Sequence, residues 1–515
     1  MPYSPNFVDG IAVVVALYIV SRLVAKKPVG PLPPGPKPLP LLGNMLDMPQ
    51  SHEWKTFAQW GDRFGDICSV SMLGNTYVIL NSSKHAFALL DKKSAIYSSR
   101  PTIPMGGELV GWNRTLVLLP YGNNFREYRR LIFQLIGSRK NMERFQPIVD
   151  NATRDFVLDL AQTPEKLVKH IQNCAGAIIL MMSHGYQIQG ENDQFVATVD
   201  EAMEQFAVST SAGAFMANIF PALVHVPAWF PGASFKKTAA AWRATLDEMC
   251  DKPHEWVKKQ MAAGTAIPSF TSDALEGGVT PERELLIKNA ASSLYAGGAD
   301  TTVSAIQTFY LAMTLHPEIQ ERAQAEIERV VGMDRLPSAE DRDNLPYVEA
   351  IFRETLRWNQ VAPLAVPHVL IEDDVYEGYH FPKGTIFIAN VWKMLHNLET
   401  YPDPLAFNPD RFIASPGHAP EVDPREMVFG FGRRICPGLQ LADSSVWITI
   451  AMSLAVFRVE KPVVNGTPVE PDTEFTTGTV SHPPPFECVV KARNAKAEAL
   501  LQHVAVERAQ AKAQR

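Results

Sequence analysis

The hydrophobic pattern changes period three times along the chain. Residues Ile11 to Val20 form an unbroken apolar run, extended by Phe7 and Val8 before it and by Leu23 to Ala25 after Ser21-Arg22. A helix over Phe7 to Val24 rises about 27 Å at roughly 1.5 Å per residue, close to a hydrocarbon core of about 30 Å. The basic residues Arg22, Lys26 and Lys27 all follow this run, an order that predicts an uncleaved membrane anchor over residues 1–27 with the remainder cytosolic. Residues 28–40 hold seven prolines and predict a stiff tether. From Asp66 to Leu80, Ile67-Cys68-Ser69-Val70 and Thr76-Tyr77-Val78-Ile79 flank Gly74-Asn75 and predict a hairpin. Beyond it helical spacing dominates. A helix is predicted over Asn124 to Ile136, with Phe125 and Arg129 four apart on one face. A second starts at the capping pair Thr280-Pro281 and runs to His316-Pro317. A third starts at Pro346 with the stripe Val348, Ile351, Phe352 and Leu356. After Lys491, alanines alternate with Lys, Arg, Glu and Gln, which predicts a solvated or frayed helical tail over 491–515.

Composition narrows the class. The chain has 515 residues, of which 46% are hydrophobic, ample for a large core. A net charge of −7, without a long single-sign run, offers no surface for nucleic acid. Cys68, Cys174, Cys250, Cys436 and Cys488 lie far apart, as in a reducing compartment and unlike a disulfide framework or zinc site. Sequons at Asn81, Asn113, Asn151 and Asn465 are expected to stay unmodified in a cytosolic domain. His-Glu-x-x-His, Gly-x-Ser-x-Gly and phosphate-loop patterns are missing, and Gly430-x-Gly432 lacks the third glycine of a dinucleotide fingerprint. The chain is therefore not expected to bind NADPH or flavin itself.

Two stretches carry chemistry. Phe429-Gly430-Phe431-Gly432-Arg433-Arg434-Ile435-Cys436-Pro437-Gly438 sets one cysteine among glycines, arginines and a proline. Such a loop can hold a thiolate close to a large flat ligand, with N–H groups and the two arginines favouring the anion. The helix from Thr280 carries Ala296-Gly297-Gly298-Ala299-Asp300-Thr301-Thr302 in its middle, where each glycine costs roughly 1 kcal/mol relative to alanine. Glycines admit a ligand to the backbone, and a threonine bonded back to its own chain opens a groove.

The cysteine loop resembles the haem-binding loop of the cytochrome P-450 superfamily, Phe-x-x-Gly-x-Arg-x-Cys-x-Gly, matched at Phe429, Gly432, Arg434, Cys436 and Gly438. The glycine-rich stretch is similar to that family's oxygen-binding helix. The resemblance implies that Cys436 is the axial ligand of a haem b iron. It further implies that Thr301 hydrogen-bonds dioxygen, the co-substrate, and that Asp300 relays protons. Arg434, Arg129 and His368 become candidate partners of the haem propionates. Where the family commonly has tryptophan four before Arg129, this chain has Phe125, so the indole hydrogen bond is absent. Glu354 and Arg357, with Arg411 in Phe407-Asn408-Pro409-Asp410-Arg411-Phe412, resemble the family's buried structural network. The tether's Pro33-Pro34-Gly35-Pro36 is similar to the hinge of microsomal members.

The implied fold is mainly α with a smaller β-rich part, as one domain over residues 41–490 behind the anchor. The implied activity is a monooxygenase that inserts one oxygen atom from O2 into a lipophilic molecule. NADPH would supply electrons through a reductase, with or without cytochrome b5. Docking is expected on a basic face that includes Arg126, Arg130 and Lys140. Candidate pocket segments are Thr102 to Trp112, Phe206 to Phe220, Leu294 to Ala299, Val361 to Val366 and Phe475 to Thr479. Their apolar character with scattered hydroxyls suits a terpenoid, polyketide or aromatic compound, and the texture looks like fungal members of secondary metabolism at the endoplasmic reticulum. Two other readings share some of these residues. A thiolate-haem isomerase or dehydratase would need no external electrons, and a membrane-tethered binding module with a structural Cys436 would hold no haem.

Overall fold

The computed structural model describes residues 30–513 apart from Glu191 and Ala212. The anchor expected at 1–27 lies outside the described residues. In chain order the main elements begin with helix α1 (Glu53–Phe64) and strands β1 (Ile67–Met72) and β2 (Asn75–Leu80). Helices α2 (Asn123–Ile136), α3 (Gln146–Gln162), α4 (Leu167–His184), α5 (Gln194–Thr210) and α6 (Phe235–Ala263) follow. Next come α7 (Pro281–Ala299), α8 (Thr301–Leu315), α9 (Pro346–Trp358), β3 (His368–Val369) and β4 (Ile386–Ala389). The chain ends with α10 (Leu439–Val456), β5 (Phe457–Glu460), β6 (Val489–Ala492) and α11 (Ala495–Ala513).

The predicted hairpin forms. Leu73 and Gly74 both take positive φ, 49° and 87°, the twist that a two-residue turn needs to match its strands. One four-stranded sheet runs in the order β1-β2-β4-β3. Within it β2 and β4 are parallel, pairing Tyr77 with Ile386 through Leu80 with Ala389, and β3 adds to β4 antiparallel. Strands β5 and β6 form a separate antiparallel pair.

Two large apolar cores result, with a small third cluster of Phe57, Cys68, Val70, Ile79 and Ile388. The larger gathers the inner faces of the helices, among them Ile132, Val157, Ile179, Tyr310, Phe352 and Trp447. The smaller lies under the sheet and contains Val78, Leu80, Tyr97, Phe387, Tyr401 and Phe431. Helix α10 is apolar and long enough to cross a membrane, the one such helix among the described residues, but it is largely buried within the fold. It is a core helix.

Three expectations need correction. The pattern over Thr280 to His316 is two helices, because Asp300 interrupts the ladder between α7 and α8. The C-terminal segment is not solvated all round. Ala497, Leu500, Leu501 and Val504 of α11 are buried, a stripe at helical spacing, and Arg508 pairs with Asp155 and Asp159 at 2.6 and 3.1 Å. The proline-rich segment, where described, lies against the body. Pro34 and Pro31 carbonyls accept from the N–H groups of Ser69 and His380, each at 2.9 Å. Prolines lack a donor yet keep that acceptor.

Candidate functional site

Between the two cores lies the loop of Cys436. Its N–H donates to the Phe429 carbonyl at 2.7 Å, closing the loop, while Phe431 meets Phe87 edge-on with centroids 5.3 Å apart. Gly432 has φ +56°, and a Cβ there would stand 2.2 Å from the Leu90 carbonyl oxygen. No larger residue fits. Gly438 precedes α10, so the sulfur sits beside a helix N-terminus, where the peptide dipoles favour an anion. The thiol is reachable by solvent, yet protein encloses it closely enough for burial to push its pKa up. The Gly438 N–H and Arg129 pull the other way without offsetting burial.

The two loop arginines do not serve the sulfur. Arg433 donates to the Tyr121 hydroxyl at 2.6 Å. Arg434 turns inward, giving its guanidinium to the carbonyls of Ser98, Leu116 and Leu119 at 2.7, 3.2 and 2.6 Å. Phe125 lies beneath that guanidinium, 3.8 Å from ring centroid to the central carbon. The phenyl ring that stands in place of tryptophan thus supports the arginine by cation–π contact, worth about 1–2 kcal/mol when desolvated. Leu116 links this group onward, since its N–H donates to Ser293 Oγ on α7 at 2.9 Å.

A residue that the motifs did not flag completes the cluster. Arg100 is held by the carbonyls of Val117, Val366 and Pro367 at 3.1, 2.6 and 2.8 Å. Burial, and then Arg434, hold its pKa well below the usual arginine range. Arg434 is itself lowered to about 9 by burial and by Arg129. His368 on β3 faces the Tyr97 carbonyl through Nδ1 at 2.7 Å, and burial, Arg100 and Arg434 keep it neutral. Arg129 reaches the Ile435 carbonyl at 2.6 Å. Each of these four side chains bonds to backbone carbonyls. Like charges of the three arginines at close quarters cost free energy unless an anion joins them. The signal in the sequence was an isolated arginine in the uncharged run Ile96-Tyr97-Ser98-Ser99-Arg100-Pro101.

The break between α7 and α8 forms the second part. Thr301 Oγ1 donates back to the Gly297 carbonyl at 2.7 Å, and Asp300 between them sits at φ −104°, ψ −42°. A Cβ on Gly297 would meet nothing within 4 Å, so open space lies beside the backbone four residues before Thr301 on the same helical side. The Asp300 carboxylate meets His482 Nε2 at 3.1 Å. His482 follows the predicted pocket segment 475–479 and carries no motif.

Most pocket segments converge. Trp112 packs edge-on to Phe206 at 4.8 Å. Asn218 Oδ1 accepts from the Met105 N–H at 2.9 Å, Thr210 meets Thr479 at 3.2 Å, and Val361 accepts from the Ser481 N–H at 2.9 Å.

Glu354, Arg357 and Arg411 lie in one buried network. Arg357 grips Glu354 with two bonds of 2.7 and 2.8 Å. Arg411 Nε adds one at 3.1 Å and reaches Glu421 at 2.9 Å. Exposure of the three is 3% or less. Remaining donors of Arg357 go to the carbonyls of Leu395, Pro404 and Ala406, so each buried charge is paired and hydrogen-bonded.

Comparison with known proteins agrees with this geometry. The family model described as Cytochrome P450 matches residues 33–490. Cytochrome P450 monooxygenase 208 of Postia placenta is 52% identical over 487 residues, covering 95% of each chain. Cytochrome P450 monooxygenase claR of Ampulloclitocybe clavipes is 45% identical, covering 95% of this chain and 91% of that one. Tryptamine 4-monooxygenase of Psilocybe cyanescens is 42% identical, covering 89% and 92%. With a thiol in a glycine loop, a cluster of arginines and a broken glycine-threonine helix placed as above, the chain belongs to the cytochrome P450 family and is one of its monooxygenases.

Proposed function

We propose that this chain hydroxylates a lipophilic small molecule, using haem b held by Cys436 and electrons that begin on NADPH. The arginines clustered near Cys436, whose hydrogen-bond partners are carbonyls, carry this reading. A flat group with two carboxylates and a metal fits them, with Arg434, Arg129, Arg100 and His368 toward the carboxylates and Cys436 toward the metal. When bound, that group supplies activation of O2 and transfer of one oxygen atom to the substrate, the other leaving as water with two electrons and two protons.

Residues of the chain do the rest. Gly297 leaves room beside the helix. Thr301 holds a hydroxyl proton at Oγ1, and Asp300 is the nearest acid in sequence able to pass one to it. Glu354, Arg357 and Arg411 fix the floor beneath the cysteine loop. The apolar segments around Trp112 and Phe206 exclude water and accept the substrate. A relative named for tryptamine favours an aromatic member of the lipophilic class, alongside terpenoids and polyketides. An NADPH-cytochrome reductase, with or without cytochrome b5, docks near exposed Arg126 and Arg130 on α2 and Lys140 after it. An anchor in residues 1–27 keeps the domain at the endoplasmic reticulum membrane.

The test is the carbon monoxide difference spectrum of the reduced, haem-loaded full-length protein. A strongly red-shifted Soret band is the expected result, lost in Cys436→Ala, and an unchanged band in that variant overturns the ligand assignment. Product formation that needs no reductase would favour an isomerase or dehydratase.

A further inference from the structure

Asp300 occupies the N-cap position of α8, where an aspartate ordinarily caps the helix by accepting from backbone N–H groups. It does not do so here. Its φ of −104° and ψ of −42° are helical, and its side chain makes no capping bond. The carboxylate goes instead to His482 Nε2 at 3.1 Å. His482 Nδ1 in turn faces Gln307 Oε1 of α8 at 3.3 Å. Facing a carboxylate, Nε2 carries its hydrogen and donates to Asp300, which fixes the plane of the ring.

The histidine is held firmly. Its N–H donates to Thr476 Oγ1 at 2.9 Å, and the Thr476 N–H donates to its carbonyl at 2.8 Å. The preceding residue, Ser481, accepts from the buried Ser304 Oγ at 2.5 Å and is itself fixed to Val361. Charge around the pair is unbalanced on the other side. Asp200 of α5 has its carboxyl pushed up to about 6 by burial, with Lys169 opposing and Asp300 and Glu204 adding. Among the described residues, His482 is the side chain whose ring nitrogen meets the Asp300 carboxylate.

We propose that His482 is a positioning residue for Asp300: it draws the carboxylate away from the helix terminus and holds it, by the Nε2 hydrogen bond, at the break beside Thr301. The inference rests on the monooxygenase reading, in which Asp300 passes protons toward Thr301. The ring keeps its own protons: Nε2–H donates to one Asp300 oxygen, and a proton that Asp300 passes toward Thr301 is replaced on the carboxylate from solvent. Charge and atoms balance without any further reactant.

Two measurements test this. The first is the rate of His482 modification by diethyl pyrocarbonate, read by peptide mass spectrometry. The ring nitrogens face Asp300 and Gln307. Asp300→Asn is expected to change that rate several-fold, because Nε2 loses the carboxylate that it meets, and an unchanged rate overturns the pairing. The second is reductase-supported NADPH oxidation by the haem-loaded full-length protein. His482→Gln, which keeps size and a donor, is expected to slow it several-fold, His482→Lys to recover most of the rate, and Asp300→Asn/His482→Gln to be no slower than Asp300→Asn alone. A wild-type rate in His482→Gln overturns the proposal, as does equal loss in the glutamine and lysine variants, which would mark a packing role. Lack of a thiolate-type band in the wild type would instead overturn the monooxygenase reading, and the modification rate can be read on the same chain regardless.

Discussion

At the scale of single residues, the chain concentrates positive charge where it has no acid to meet it. Arg434 stacks on Phe125 and bonds to three carbonyls, so its side chain is already oriented before any anion arrives. Arg434→Ala is expected to lower haem retention at least tenfold, measured as haem lost to apomyoglobin over time, since a buried charge-assisted bond is worth about 1.5–3 kcal/mol. Phe125→Leu should give a smaller loss, about 1–2 kcal/mol, because it removes only the ring beneath the guanidinium. Cys436, Gly432 and Arg434 were legible as a fixed-spacing motif. Arg100 was not, because its role depends on Pro367 and Val117 being brought to it from other elements, and His482 was not, because its partner is far away in sequence.

At the scale of elements, periodicity gave helix identity well and helix ends less well. The α7–α8 region reads as one helix by its apolar spacing, and the interruption at Asp300 is set by the Thr301 hydroxyl bonding back to Gly297, a local competition with the ladder. The terminal helix α11 shows the reverse problem. Its alanines and charges mask a stripe of Ala497, Leu500, Leu501 and Val504. Leu501→Glu buries a charge against the larger core and is expected to cost about 3 kcal/mol or more, seen as a fall of several degrees in the thermal midpoint. A freely solvated tail would leave the midpoint unchanged.

For the whole molecule, buried ionisable groups decide the response to pH. His184 and His396 are both lowered to about 3, the first by burial and His254, the second by burial and Arg357. They are neutral in the fold and protonate in the unfolded chain near pH 6.5. Their contribution is full above about pH 6.5 and is lost progressively as pH falls toward 3. Each steepens the loss by up to about 1.4 kcal/mol per pH unit, so denaturation midpoints should fall from pH 7 to pH 5, and His396→Gln should flatten the slope. Glu354→Gln tests the buried network: it leaves Arg357 without its carboxylate and Arg411 with Glu421 alone, and is expected to destabilise by about 3–5 kcal/mol. The cysteine loop joins the two large cores, Phe429 packing with the larger and Phe431 belonging to the smaller. Neither half alone can give that loop its shape. Capture of the prosthetic group is therefore a late event in the life of the chain, and the appearance of colour reports that both halves have folded: the molecule carries its own inspection stamp.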